Sequence, residues 1–98
     1  MRGISRRTLL DFWRAGHGDA EQPLKAWFAE VNRAVWRSMA EIKKRYPTAS
    51  IIDAERVVFN IGGNKYRLVA KLWLPGQVLW IKFIGTHREY DRIDVTRL

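Results

Sequence analysis

The hydrophobic period changes once along this chain, near residue 50, and that change restricts the fold more than any other feature. Leu24, Trp27, Phe28, Val31, Ala34, Val35, Met39 and Ile42 follow the 3, 4, 7 spacing of one helix face, which predicts a single long helix over about 20–44. Lys25, Glu30, Arg33, Arg37, Glu41 and Lys44 fall off that stripe. Lys43-Lys44-Arg45 suits the negative end of the helix dipole, and Tyr46-Pro47 ends the helix. Upstream, residues 2–4 read as a short strand. Ser5 reads as the N-cap of a helix over about 6–15 that carries Leu9, Leu10 and Trp13 and stops at Gly16. Asp19 and Gln22 have capping-box spacing, and Pro23 falls in the first turn of the long helix, where its missing N–H costs little.

From residue 56 the period is 2. Arg56 to Ile61 is a strand, Gly62-Gly63 a two-residue hairpin turn, Asn64 to Leu74 a second strand, Pro75-Gly76 another turn, and Val78 to Ile84 a third strand. The first turn sets Phe59 opposite Tyr66 and Val57 opposite Leu68. The second sets Leu72, Ala70 and Leu68 opposite Leu79, Ile81 and Phe83. Both registers gather apolar residues on one face, as a buried face requires. The other face then collects Asn60, Lys65, Arg67, Val69, Lys71 and Trp73, with Val78, Trp80, Lys82 and Ile84 beside them. After Gly85, Thr86 and Glu89 are spaced as a capping box, which predicts a short helix with His87, Tyr90, Asp91 and Asp94 on one side. The expectation is one α+β domain over residues 1–98: a short N-terminal strand, two helices packed on one face of an antiparallel sheet, and a short C-terminal helix.

Charge narrows the partner. Eighteen Lys and Arg against ten Asp and Glu give +8, and the excess is spread along the chain with no detachable basic tail. A folded domain of that kind fits a polyanion such as RNA, with solubility as the plainer explanation. The absence of cysteine excludes disulfides, thiol catalysis and Cys-ligated zinc. No window is long and apolar enough for a membrane span. Asp11 and Arg14 interrupt the apolar stretch behind the basic start, which argues against a secretory leader. A cytoplasmic protein with no membrane partner is expected. Cations interleaved with Trp on a sheet face suit phosphate contact and base stacking. A solvated face protected from aggregation by Lys explains isolated Lys well, and Arg67 at the sheet centre less well.

The phrases Val57-Val58-Phe59-Asn60-Ile61-Gly62-Gly63-Asn64-Lys65-Tyr66-Arg67-Leu68 and Thr86-His87-Arg88-Glu89-Tyr90-Asp91, set in this element order, resemble the HigB toxin family. Ile4-Ser5-Arg6-Arg7-Thr8-Leu9 and Trp36 in the long helix are similar to that family as well. The resemblance implies a RelE-like fold and an mRNA interferase that cuts messenger RNA, typically on the translating ribosome. It also implies a HigA-like helix-turn-helix antitoxin, with operator DNA bound only through the complex of the two. It places active residues on the central strands and near the last strand, where Arg67 and His87 lie. No aromatic residue follows Tyr90, unlike RelE-type members with a catalytic Tyr nearer the C-terminus, and the choice of base and acid stays open.

Attack of a ribose 2′-OH on the adjacent phosphate needs a base, an acid for the 5′-oxygen and cations on the phosphorane, with no cofactor or metal. His87 suits the acid or base role, since an imidazole can both give and take a proton in that chemistry. Arg67 offers forked contacts to phosphate oxygens. Tyr90 would position the 2′-OH or stack on a base. Asp91 would orient His87 or instead pair with Arg88 or Arg92. Lys65, Lys71 and Lys82 would hold the RNA backbone. Trp80 would stack, seal the sheet edge or meet the antitoxin. A nonenzymatic RNA-binding domain would use the same basic sheet without His87. A metal-dependent nuclease would need Glu89, Asp91 and Asp94 to converge with carboxylates from other elements.

Overall fold

The alternating segments form strands, and their pairing determines where every later side chain points. The computed structural model describes residues 1–98. In chain order it contains β1 (Arg2–Ile4), α1 (Arg6–Arg14), α2 (Glu21–Arg33), α3 (Met39–Arg45), β2 (Ser50–Ile51), β3 (Arg56–Ile61), β4 (Tyr66–Trp73), β5 (Val78–Thr86) and α4 (His87–Tyr90). Short 3₁₀ turns lie at Gly18–Ala20 and Val95–Arg97. The sheet order is β1-β5-β4-β3-β2. β2 through β5 pair antiparallel, but β1 joins the β5 edge in parallel, so the sheet is mixed.

The inward face of this sheet, from Val57, Phe59 and Ile61 to Tyr66, Leu68, Ala70, Leu72, Leu79 and Ile81, shares one core with Leu9 and Trp13 of α1, Leu24, Trp27 and Val31 of α2, and Ile42 of α3. Three helices therefore cover that face, where two were expected. The apolar stripe that predicted one long helix is split between α2 and α3. Ala34 turns the chain extended (φ −78°, ψ 150°), Val35 is left 63% exposed, and Trp36 buries its ring edge-to-face on Tyr46 instead of sitting in a helix. Ser38 then caps α3, its hydroxyl accepting from Glu41 N at 3.2 Å while the Glu41 carboxylate accepts from Arg37 N at 2.6 Å. The Ser-x-x-Glu spacing at 38–41 is a second capping signal that the continuous stripe concealed.

Other local expectations change in the same manner. Ser5 occupies the N-cap of α1, but its hydroxyl makes no capping bond. Asp19 does not cap α2, which starts at Glu21, because its carboxylate is taken by Lys65 and Tyr66. β2, only two residues long, carries no periodic signal to reveal it.

The β3–β4 loop is wider than a two-residue turn. Ile61 pairs with Tyr66, Phe59 with Leu68, and Val57 with Ala70, leaving four residues in the loop, where Gly62 (φ 64°) and Gly63 (φ 70°) both adopt the left-handed backbone. The slip is two residues, so each side chain keeps its expected face. The β4–β5 pairing differs in kind. Leu72 meets Leu79 and Ala70 meets Ile81 as expected, but Val69 then meets Phe83 and Leu68 meets Ile84. Lys82 is the unmatched residue of a β-bulge. Beyond it the alternation inverts: Ile84 packs toward the core and Phe83 turns to the opposite face, the reverse of the expected placement.

Gln77 (φ 54°) ties the broken helix to this sheet. Its amide accepts from Trp36 N (3.1 Å) and donates to Trp36 O (2.6 Å) and Leu74 O (2.8 Å), while its own carbonyl accepts from Arg2 N (2.7 Å). Gln77→Ala removes the three side-chain bonds at a positive φ and leaves part-buried backbone groups unpaired. It should cost about 2–3 kcal/mol in urea unfolding with an unchanged denaturant slope.

Candidate nucleic-acid interface

Arg56, Val58 and Asn60 of β3 and Arg67, Val69, Lys71 and Trp73 of β4 share the face turned away from the three helices. That face is not uniformly solvated, since Val58 and Val69 are buried. The chain leaves β5 through α4, and its end is fastened to β3, where Arg56 Nε donates to Leu98 O at 3.0 Å. The C-terminal segment thus crosses this second face.

Arg67 is half-buried near the start of the central strand β4. Its guanidinium donates to the Asn60 side-chain oxygen and, at 3.5 Å, to that of Asn64. Asn60 is its cross-strand partner, and the Asn60 amide nitrogen donates to Thr48 O at 3.0 Å, which turns the amide oxygen toward Arg67. No carboxylate pairs with Arg67: its positive charge is positioned by neutral amides and left uncompensated. The two-residue turn expected from sequence hid this arrangement, because Asn60 faces Arg67 only when the loop is four residues long.

On the other side of Arg67 stands Gly85, with the Phe83 ring lying close over it. One residue on, Thr86 begins the capping box expected for it. Its hydroxyl accepts from Glu89 N (3.2 Å), and the Glu89 carboxylate accepts from Thr86 N (2.8 Å), which holds that carboxyl below its usual range. His87 and Tyr90, both half-buried, are the first and last residues of α4. α4 ends at Tyr90, so Asp94 does not join their helix face; it accepts instead from Thr96 N at 3.1 Å. Asp91 caps α4, its backbone N donating to His87 O at 2.9 Å, and its exposed carboxylate makes no ion pair with Arg88 or Arg92.

The remaining cations divide. Lys71, opposite Trp80, lies 3.5 Å from Glu55, and Lys82 stands exposed at the bulge without a carboxylate partner. Lys71, Trp73, Trp80 and Lys82 line one open cavity of about 530 Å³ at the far end of β4. Lys65 does not join the strand face: it lies in the β3–β4 loop and pairs with Asp19, over the Tyr66 ring at 5.7 Å. Tyr66 Oη also donates to Asp19, at 2.5 Å. His17 stacks on Phe12 at 4.2 Å and meets Tyr66 edge-on at 5.6 Å.

Residues 20–93 match the family described as HigB_toxin, the RelE-like toxic component of a toxin–antitoxin system. The chain belongs to this family. The matched region takes in Arg67, Lys71, Lys82 and α4, and it leaves out β1 and α1, whose opening residues had also resembled HigB toxins. Over 34 residues the chain is 47% identical to the mRNA interferase toxin HigB of Escherichia coli strain K12, covering 35% of this chain and 33% of that protein. The mRNA interferases HigB of Escherichia coli O157:H7 and Shigella flexneri are similar to the same extent. The match spans about a third of the length of these curated relatives. No helix of this HigB-family chain is long and apolar enough to cross a membrane.

The Lys65 and Tyr66 bonds hold the Asp19 carboxyl below its ordinary pKa, with the Lys65 hydrogen bond the larger cause. A depressed carboxyl stabilises the fold above its unfolded pKa, and that stabilisation disappears as pH falls through the folded value. Asp19→Asn should therefore lower the thermal midpoint at neutral pH. The gap to the unmodified protein should close as pH falls below about 4, as read by melting curves across that range.

Proposed function

We propose that this HigB-family protein is an mRNA interferase: an endoribonuclease that cuts translated mRNA at the ribosome and is neutralised by a HigA-like helix-turn-helix antitoxin, operator DNA being bound only through their complex. The observation that carries the reading is Arg67, an uncompensated guanidinium held by two asparagine side chains beside the strand end that leads into His87. A cation paired to a carboxylate would have to break that pair to meet a phosphate; this one is positioned and free.

In the proposed reaction the ribose 2′-oxygen attacks the adjacent phosphorus, and the bond from phosphorus to the 5′-oxygen breaks, leaving a 2′,3′-cyclic phosphate and a free 5′-hydroxyl. Arg67 meets the nonbridging oxygens as charge builds there, the point at which fixed donors contribute most. His87 transfers a proton as general acid or base, and Tyr90 positions the 2′-OH or stacks on a neighbouring base. Asp91 orients His87 in the substrate complex. Lys82 holds the RNA backbone, Lys71 joins it by giving up its pair with Glu55, and Trp80 stacks between them. Lys65 has a lesser part, because Asp19 already neutralises it. No cofactor or metal enters these steps. A nonenzymatic RNA-binding domain would use the same cations and make His87 dispensable, which separates the two readings by experiment.

Arg67→Ala should slow RNA cleavage by about 2–4 kcal/mol of transition-state stabilisation, and Arg67→Lys should recover only part of that, because the forked geometry is lost. Lys71→Ala should weaken RNA binding modestly and reduce its salt dependence. His87→Ala should abolish cleavage with affinity retained, and chelator should leave cleavage of free RNA unchanged. Mapping 5′ ends of mRNA in cells expressing each variant, with binding measured on purified protein, reads all of these. Retained cleavage by His87→Ala would remove its assigned role.

A further inference from the structure

The cavity at the far end of β4 is built for something other than the reacting phosphate. Trp13, Trp27 and Trp36 are buried in the core, whereas Trp73 is 57% exposed and Trp80 half-buried, both against the same open space. Trp73 is held there by the β4–β5 turn. A Cβ added at Gly76 would lie 2.4 Å from its ring, so the ring packs closely against the glycine and a side chain there would have to displace it. Lys71 and Lys82 flank the rings, and the Glu55 carboxylate on the same wall is neutralised by Lys71 at 3.5 Å. A planar apolar platform beside an unpaired cation, Lys82, matches one ligand chemistry well: an unpaired nucleobase whose neighbouring phosphate reaches that lysine. Six residue steps along extended β4 take the chain from Arg67 to Trp73, about 20 Å, farther than one nucleotide can bridge.

We infer that the Trp73–Trp80 cavity is a base-stacking subsite for single-stranded RNA, occupied by a nucleobase several positions away from the bond that Arg67 serves. It rests on the proposed RNA-cutting function for its polymer and adds to it an anchoring point remote from the chemistry. Lys82, two residues beyond Trp80 on β5 and unmatched at the bulge, lines the same cavity.

The test uses the full chain and a single-stranded 2′-O-methyl oligonucleotide, which offers no attacking 2′-OH, beside an abasic oligomer of the same length. The intact oligonucleotide should quench tryptophan fluorescence and bind more tightly than the abasic one. Trp73→Ala should bind the intact oligonucleotide about ten-fold more weakly, the scale of one lost base–aromatic stack, with the abasic affinity unchanged. Trp73→Phe should restore most of the difference. Gly76→Val, which displaces the ring without deleting it, should act in the same direction as Trp73→Ala. Equal affinity of Trp73→Ala and the unmodified chain for the intact oligonucleotide would overturn the inference. So would a loss confined to antitoxin binding, which would make the cavity a protein-docking surface. A chain that cuts no RNA yet shows the Trp73-dependent difference would instead overturn the nuclease reading and leave the subsite in place.

Discussion

The pairing of β4 with β5 is the constraint on which the rest of the structure depends. β4 is central, with Leu68 and Ala70 in the helix-covered core and Val69 buried on the opposite face, so it has no freedom to slip. β5 must therefore adapt to it, and does so by extruding Lys82. That one extra residue brings Ile84 to the core and Phe83 to the other side, sets Gly85 opposite Arg67, and delivers the strand end to α4. Without the bulge, the lysine would count as one more alternating side chain and Arg67 would face a different neighbour. A bulge next to a functional surface re-aims side chains in this manner.

The electrostatics of the second face follow from how its cations are held. A guanidinium bonded to neutral amides keeps its full charge while losing conformational freedom, and Thr48 O fixes the orientation of the amide that does most of the holding. Lys65, only two residues away, shows the contrasting case: its charge is cancelled by Asp19, and the pair secures the loop before α2 to the β3–β4 hairpin. Net charge alone treats these two residues alike. Their partners separate a group available for phosphate from one engaged in holding the fold.

Most of the architecture was legible in the sequence because the strands carry a clean period of 2 and the turns carry glycine. β1, β3, β4, β5, the extent of α1 and the capping box of α4 all follow from local chemistry. What escaped was whatever depends on contacts between distant segments. Gln77 holds Trp36 out of a helix from 41 residues away, so the stripe through Val35 looked continuous. The bulge at Lys82 is set by the fixed register of β4, and nothing in the sequence around Lys82 marks it. For the site, Arg67, Lys71, Lys82 and Trp80 were identifiable as residues of one face. The pairing of Arg67 with Asn60 was not, since a two-residue difference in loop length preserves every face and changes every partner.

Between Arg67 at one end of the face and the two tryptophans at the other lies a short apolar section, Val58 and Val69, crossed by the chain's last residues. This crossing explains how a four-residue helix can present His87 and Tyr90 in a definite place. A helix that short has almost no cooperative stability of its own. α4 is instead fixed at its start by the reciprocal Thr86–Glu89 bonds, while the chain beyond it is fixed by Arg56 gripping Leu98. Arg56 is in turn oriented by Asp53, which accepts its guanidinium at 2.9 Å and holds its backbone N at the same distance. The proposed proton-transfer group and the guanidinium of Arg67 are therefore positioned by different means. Arg67 is set by the interior of the sheet, and His87 by a segment clamped at two points over it. Loosening the Arg56–Leu98 clamp would leave the Arg67 charge in place and free the histidine to move.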